Sequence, residues 1–322
     1  MPRERLNQDG LNVDRWIQGN RFVDFFVRRV VERLKGRKND YMLVQAYKRD
    51  FINNQDKKNA IVLASTPKSG NTWIRFIFAN IISLQEMDGG VINYHKLEEM
   101  LPDEAWQEDM RKPWIFKTIP CIVKTHKPYK KIYDHFNKFL VYRNPLDTLI
   151  SQYYYITTRT ADPVIENSYK KWRAVEDIRL VAEEWRKRGP GGYMRHALGL
   201  DRWCNHFKSW KNNCDVSCSY EELKSAPMIT FKTVLDNLSL QIDDKVLEEA
   251  IKRSDFKKIQ ALEDEFGKSP QMAQLSTRFT RKGTTGQWQN YFDKSDISYF
   301  KAKMSEYKID ISCFEYGNSL NL

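Results

Sequence analysis

Short apolar runs alternate along this chain with longer apolar or amphipathic stretches. Ala60-Ile61-Val62-Leu63-Ala64 is brief, uninterrupted and rich in β-branched residues, the pattern of a buried strand. Thr72 to Leu84 is apolar almost all round and too long for a strand, which predicts a buried helix. The alternation recurs. "PCIVKTH" (120–126) and "KFLVYR" (138–143) are apolar runs that each end on basic residues. "NPLDTLISQYYYI" follows the second, with Asn144 placed to cap a helix and Pro145 suited to its first position. "CDVSCSY" (214–220) predicts a further strand, and "SYEELKSAP" a helix in which Ser219 and Glu222 have capping-box spacing. Charged, tryptophan-bearing helical segments occupy about 157–210. Residues 20–35 carry Phe22, Val23, Phe26, Val27, Val30, Val31 and Leu34 at helical spacing, with Arg28, Arg29, Arg33 and Lys35 interleaved. This predicts an amphipathic helix docked on the protein's own core, membrane contact being the alternative.

Strands alternating with helices predict an α/β fold, a single domain with a central parallel β-sheet flanked by helices and right-handed crossovers. The expected organisation is a helical extension over 1–55, packed on a main domain over 56–322. Ligands of such sheets bind beyond the C-terminal strand ends. The basic clusters fall at those ends or in loops.

Composition narrows the ligand. The chain has 322 residues, 41% hydrophobic, enough for a substantial core. Its net charge is +11, from 53 Lys+Arg against 42 Asp+Glu, which calls for a polyanionic partner: nucleotide, nucleic acid or acidic membrane. The charge is spread, with no long basic block, which disfavours a nucleic-acid tail. "MPRERLNQDG" lacks the apolar core of a signal peptide, no stretch approaches a membrane span, and the five cysteines are few. These features point to the cytoplasm, without integral membrane contact. Cys204, His206, Cys214 and Cys218 cluster in sequence but fit no paired Cys-x-x-Cys spacing, and read as buried thiols rather than a zinc site.

The candidate chemistry begins at "ASTPKSGNTW" (64–73), where a strand gives way to a glycine turn and a helix N-terminus. Backbone N–H groups converge on an anion at such a place. A Walker A loop has its lysine directly after the glycine and then a hydroxyl for magnesium. Here Lys68 precedes Gly70, Asn71 takes the lysine's place, and no glycine stands five residues before Gly70. A conventional kinase or other ATP- and Mg²⁺-dependent P-loop enzyme is therefore disfavoured.

The loop resembles the 5′-phosphosulfate loop of the cytosolic-type sulfotransferase family, PKSGTTW: Pro67-Lys68-Ser69-Gly70-Asn71-Thr72-Trp73 departs from it only at Asn71. Three other family features follow in order. "YRNPLDTLISQYY" supplies Arg143 and Ser151 at the spacing of the 3′-phosphate motif, and arginine is a planar multi-donor cation suited to phosphate. "RKGTTGQWQNYF" (281–292) is similar to the C-terminal motif RKGxxGDWKxxF, with Arg281, Lys282 and Gly283 intact and Gln287 and Gln289 in place of an acid and a lysine. "VKTHKPY" resembles the segment that carries the family's catalytic histidine, placing Lys124 and His126.

The resemblance implies a P-loop-NTPase-like sulfotransferase fold. It implies transfer of a sulfuryl group from 3′-phosphoadenosine-5′-phosphosulfate (PAPS) to a hydroxyl or amine, leaving adenosine 3′,5′-bisphosphate. In that scheme His126 is the general base, with an ordinary pKa near 6.5. Lys68 stabilises the leaving oxygen, Lys124 assists near the acceptor, and Ser151 contacts the 3′-phosphate and orients Lys68. Trp73, Tyr220 and Phe256 flank the adenine, and Ser254 matches a family threonine near the base, although Asp255 beside it is a departure. No metal is required. Membrane-anchored carbohydrate sulfotransferases share the nucleotide loops but commonly use a glutamate base. The implied acceptor is therefore a small alcohol, phenol or amine, with its pocket formed by 85–112, 127–137 and 153–200. A KTVE-type dimer motif is not recognisable in "NYFDKSDISYFKAKM", so the oligomeric state stays open. The rival readings are a nucleotide kinase and a basic binder of nucleic acid or membrane.

Overall fold

The computed structural model describes residues 44–105, 110–158, 178–267 and 280–314. The chain divides into two units, Met1–Arg49 and Asp50–Leu322, and the central sheet with the helices that cover it belongs to the second. The predicted helix at 20–35 lies outside the described residues, as does 159–177 of the predicted helical stretch.

Four strands form one sheet in the order β2-β1-β3-β4: β1 Ile61–Ser65, β2 Ile122–Thr125, β3 Asn137–Tyr142 and β4 Val216–Ser219. Every pairing is parallel. Ile61 stands opposite Ile122 on one side and Asn137 on the other, and Tyr142 opposite Ser219. All five residues of β1 are buried, as befits a central strand covered on both faces. Helices supply the covers. α1, Asn71–Glu86, follows β1 directly and buries Ile74, Phe76, Ile77, Phe78, Ile81 and Ile82. α2, Tyr94–Met100, leads towards β2. α3, Pro145–Thr157, starts where predicted, the Asn144 side chain accepting from the N–H groups of Leu146 and Asp147 with Pro145 at the first turn.

The charged stretch after it yields α4, Ile178–Met194, kinked at Gly189 and Pro190, and α5, Leu200–Lys211. α6, Tyr220–Ser225, opens with the predicted reciprocal capping box of Ser219 and Glu222. α7 (Pro227–Asn237), α8 (Asp244–Arg253), α9 (Phe256–Phe266) and α10 (Lys294–Tyr307) complete the described α-helices of this unit. α8 packs along α1. Among the described residues no helix is long and apolar enough to cross a membrane.

The five cysteines are free thiols. Burial pushes Cys204 up to about 12 and drives His206 down to about 3, so both are neutral near pH 7. Among the described residues no group of three or more His, Cys, Asp or Glu is arranged to hold a metal ion.

Phe139 is fully buried in β3, which pairs with both β1 and β4. Phe139→Ala is expected to destabilise the domain by about 3–5 kcal/mol, the combined loss of transfer energy and cost of the cavity left behind. Denaturant unfolding of the two proteins side by side measures the difference.

Candidate functional site

All four strands deliver a candidate residue at their C-terminal ends, the side of a parallel sheet where ligands bind. Beyond β1 the chain turns through Thr66-Pro67-Lys68-Ser69-Gly70 before α1. Lys68 takes the left-handed backbone region at φ 70°, unusual for a residue with a side chain, and Gly70 follows at φ 98°. A Cβ on Gly70 would come within 2.7 Å of the Tyr220 ring, so the position admits glycine on both conformational and steric grounds. The bend is braced internally. The Thr66 and Ser69 hydroxyls lie 2.6 Å apart, Asn71 Nδ2 donates to Ser65 Oγ at 3.1 Å, and Gln152 Nε2 on α3 donates to the Pro67 carbonyl at 2.9 Å. Gly70 gives α1 no side-chain cap, so the first N–H groups of the helix are left for another acceptor. The Lys68 ammonium lies 5.0 Å from the centre of the Tyr155 ring.

Arg143 leaves β3 as the next wall and is only 5% exposed. Its Nη1 donates to the Lys68 carbonyl at 3.4 Å and its Nη2 to the Thr284 carbonyl at 2.6 Å. The guanidinium stacks 4.7 Å over Tyr220, the first residue after β4. Its Nε is buried without a hydrogen-bond partner in the protein. Asp147, in the first turn of α3 and 3.9 Å from Arg143, accepts from the N–H groups of Gly286 at 2.6 Å and Trp288 at 3.0 Å, clasping the C-terminal loop. That loop is further held by the Tyr220 hydroxyl and the Lys224 ammonium, both donating to the Gly283 carbonyl at 3.0 and 2.6 Å. Gly283, at φ 62°, sits against Phe256, whose ring a Cβ would meet at 2.7 Å. Arg281 lies 4.6 Å over Tyr154 and donates to Gln287 Oε1 at 2.9 Å. Trp73 meets Tyr220 edge to face at 5.6 Å.

Past the end of β2, His126 Nδ1 lies 2.7 Å from the Ser65 carbonyl. A carbonyl can only accept, so Nδ1 carries the hydrogen and Nε2 of the neutral ring is the basic nitrogen. Burial, reinforced by Lys124 and Arg202, holds the imidazole well below its ordinary range, while Asp103 and the Ser65 carbonyl pull the other way. The ordinary value near 6.5 anticipated for His126 is therefore not met: the ring is neutral at pH 7 but a weaker base than a free imidazole. The Lys124 ammonium is paired with Asp103 at 2.6 Å.

These walls enclose one cavity of about 820 Å³. Fourteen of the sixteen residues singled out in the sequence line it, including Lys68, Thr72, His126, Arg143, Ser151 and Lys282. The exceptions are Ser69 and Ser254. Ser69 is buried against Thr66. Ser254 is fully buried, donating to the Ala250 carbonyl at 2.8 Å and accepting from Asn80 at 3.1 Å, which ties the end of α8 to α1; its neighbour Asp255 faces the cavity instead. The segments at 85–112 and 153–200 contribute Tyr94, Glu98, Asp103, Tyr155 and Tyr193 to the lining, whereas 127–137 contributes none. Asp103, Gln152, Lys224, Arg75 and Arg202 also reach the site, and no spacing in the sequence marks them.

The chain is similar in sequence and in fold to known proteins. The family model described as the sulfotransferase domain matches 58–309, a range that contains the whole cavity lining. Sulfotransferase 1B1 of Canis lupus familiaris is 23% identical over 303 residues, covering 86% of this chain and 94% of the relative. A flavonol sulfotransferase-like protein of Flaveria bidentis is 25% identical over 251 residues, covering 72% and 76%. Among solved structures, mouse sulfotransferase SULT7A1 complexed with PAP shares the fold, with a TM-score of 0.51 at 22% identity over 78% of this chain and 84% of that one. With the family model spanning most of its length and the matching motifs gathered around one cavity, this chain belongs to the sulfotransferase family.

Proposed function

We propose that the cavity takes PAPS and a small acceptor together, and that the protein transfers the sulfuryl group to a hydroxyl or amine of that acceptor. The observation that carries this reading is the direct contact of the two anion motifs: Arg143 donates to the backbone of Lys68, so the loop suited to the 5′-phosphosulfate and the cation suited to the 3′-phosphate belong to one site. The mouse neighbour, a complex with PAP, is consistent with it. Arg143, Ser151 and the 281–283 segment hold the 3′-phosphate, while Trp73, Tyr220 and Phe256 offer flat faces for the purine. The N–H groups at the start of α1 and the Lys68 ammonium stabilise the charge that develops on the phosphate oxygen as the S–O bond breaks. His126 Nε2 takes the acceptor's proton as the new bond to sulfur forms, and Ser65 keeps the ring in the required tautomer. The acceptor end is lined by Tyr94, Tyr155 and Tyr193 together with charged groups, and this mixture suits a compact polar molecule with an aromatic or aliphatic body.

A nucleotide kinase is the rival. The displaced lysine and the engagement of Asn71 with Ser65 disfavour it, and magnesium-dependent ATP turnover by the purified protein would favour it.

Two substitutions separate the roles. His126→Ala is expected to lower the transfer rate by about 10²–10⁴, the usual worth of a general base, while adenosine 3′,5′-bisphosphate binds as before in calorimetry. Full turnover by this variant would remove His126 from the chemistry. Arg143→Ala is expected to weaken that nucleotide by about ten- to a hundredfold, following the ~1.5–3 kcal/mol of a charge-assisted hydrogen bond. Unchanged affinity would place the 3′-phosphate elsewhere.

A further inference from the structure

The Lys124 ammonium is not a free cation beside the acceptor. The segment after α2 runs alongside β2 as an extra parallel bridge: Lys124 N–H donates to the Pro102 carbonyl at 3.0 Å, and Glu104 N–H to the Lys124 carbonyl at 2.9 Å. This backbone clamp sets Asp103 abreast of Lys124, and their side chains meet at 2.6 Å, each less than a fifth exposed. Lys124 lies in β2 and His126 directly follows its last residue, Thr125. All three open on the transfer cavity.

We propose that Asp103 is a positioning residue of the transfer site, holding the Lys124 ammonium and supplying the negative charge against which His126 accepts the acceptor's proton. The proposal rests on the reading of His126 as the base. In the transfer step the acceptor's O–H or N–H proton passes to His126 Nε2. The acceptor atom bonds to sulfur, and the sulfur–oxygen bond to the leaving phosphate breaks. Asp103 makes and breaks no covalent bond; it offsets charge. Proton uptake creates an imidazolium beside an ammonium, which is unfavourable without a counter-ion.

The groups around His126 show why that duty falls to Asp103. Lys124 precedes it by two residues in β2, Arg202 and the neutral His206 bear on it from α5, and from β1 it meets the Ser65 carbonyl. Of the charged groups that bear on it most strongly, Asp103 alone is negative. Glu104, the next residue, is directed elsewhere, to Lys127 at 2.8 Å and the Tyr133 hydroxyl at 3.0 Å. Burial would raise the Asp103 carboxyl, but the Lys124 ammonium and the Arg75 guanidinium outweigh it and keep the group ionised.

The test compares wild type, Asp103→Asn, Asp103→Glu, Lys124→Met, the Asp103→Asn/Lys124→Met double variant and His126→Ala in the full-length protein. Labelled PAPS is supplied with a panel of simple phenols, alcohols and amines, and kcat and KM are followed against pH with the fastest acceptor. Asp103→Asn leaves the ammonium uncompensated, so the His126 pKa falls and the base weakens. The expected result is a kcat about ten- to a hundredfold lower, an acid limb moved to lower pH, and adenosine 3′,5′-bisphosphate affinity within about twofold of wild type. Asp103→Glu restores most of the rate. The double variant, which removes both charges, is less impaired than the product of the two single effects. An unchanged rate and limb in Asp103→Asn, or strict additivity in the double variant, overturns the proposal while leaving His126 as base. Wild-type-like turnover by His126→Ala, or no transfer to any panel member by wild type, removes the base reading and the proposal with it.

Discussion

One guanidinium joins the halves of this site. Arg143 donates to the Lys68 carbonyl and to the Thr284 carbonyl, lies over Tyr220 and faces the Asp147 carboxylate. Those partners come from the ends of β1 and β4, the first turn of α3 and the C-terminal loop. A planar cation with five donors is the residue type able to meet so many acceptors from one buried position. Its Nε is still unpartnered, and an unmatched buried donor is costly unless something fills the space before it.

The sheet makes this convergence possible. Because β2, β1, β3 and β4 all run the same way, their C-terminal ends lie along one edge. Residues separated by scores of positions in sequence, such as Lys68, His126, Arg143 and Tyr220, thereby become neighbours across one cavity. The C-terminal loop then closes over them, held by backbone contacts to Asp147, Tyr220 and Lys224 rather than by packing alone. Two glycines allow the close approach. At Gly70 and Gly283 an aromatic ring stands where any side chain would begin.

Much of this is legible in the sequence where the governing physics is local. The buried strand from Ile61, the Asn144–Pro145 helix start and the Ser219–Glu222 capping box follow from periodicity and from short-range hydrogen bonding, and the structure has each of them. The anion loop is legible because it needs lysine, glycine and a helix start within a few residues. What is hidden depends on pairings across long sequence distances. Nothing near Asp103 announces that it pairs with Lys124, and nothing near Asp147 announces that it accepts from Gly286 and Trp288. Ser254 shows the converse: a short motif match suggests a base contact, whereas its hydroxyl is consumed by Ala250 and Asn80 inside the core. The His126 titration is out of the sequence's reach for the same reason, since burial and the surrounding charges exist only in the folded chain.

A crystal structure with adenosine 3′,5′-bisphosphate soaked in is the most direct test of whether the two anion motifs serve one ligand. The account predicts a single molecule spanning the cavity, its 5′-phosphate on the Lys68 bend and the first N–H groups of α1, its 3′-phosphate against Arg143 and Ser151, and its purine beside Trp73 and Phe256. A nucleotide that occupies only one of these places, with the other motif turned away from it, would contradict the account.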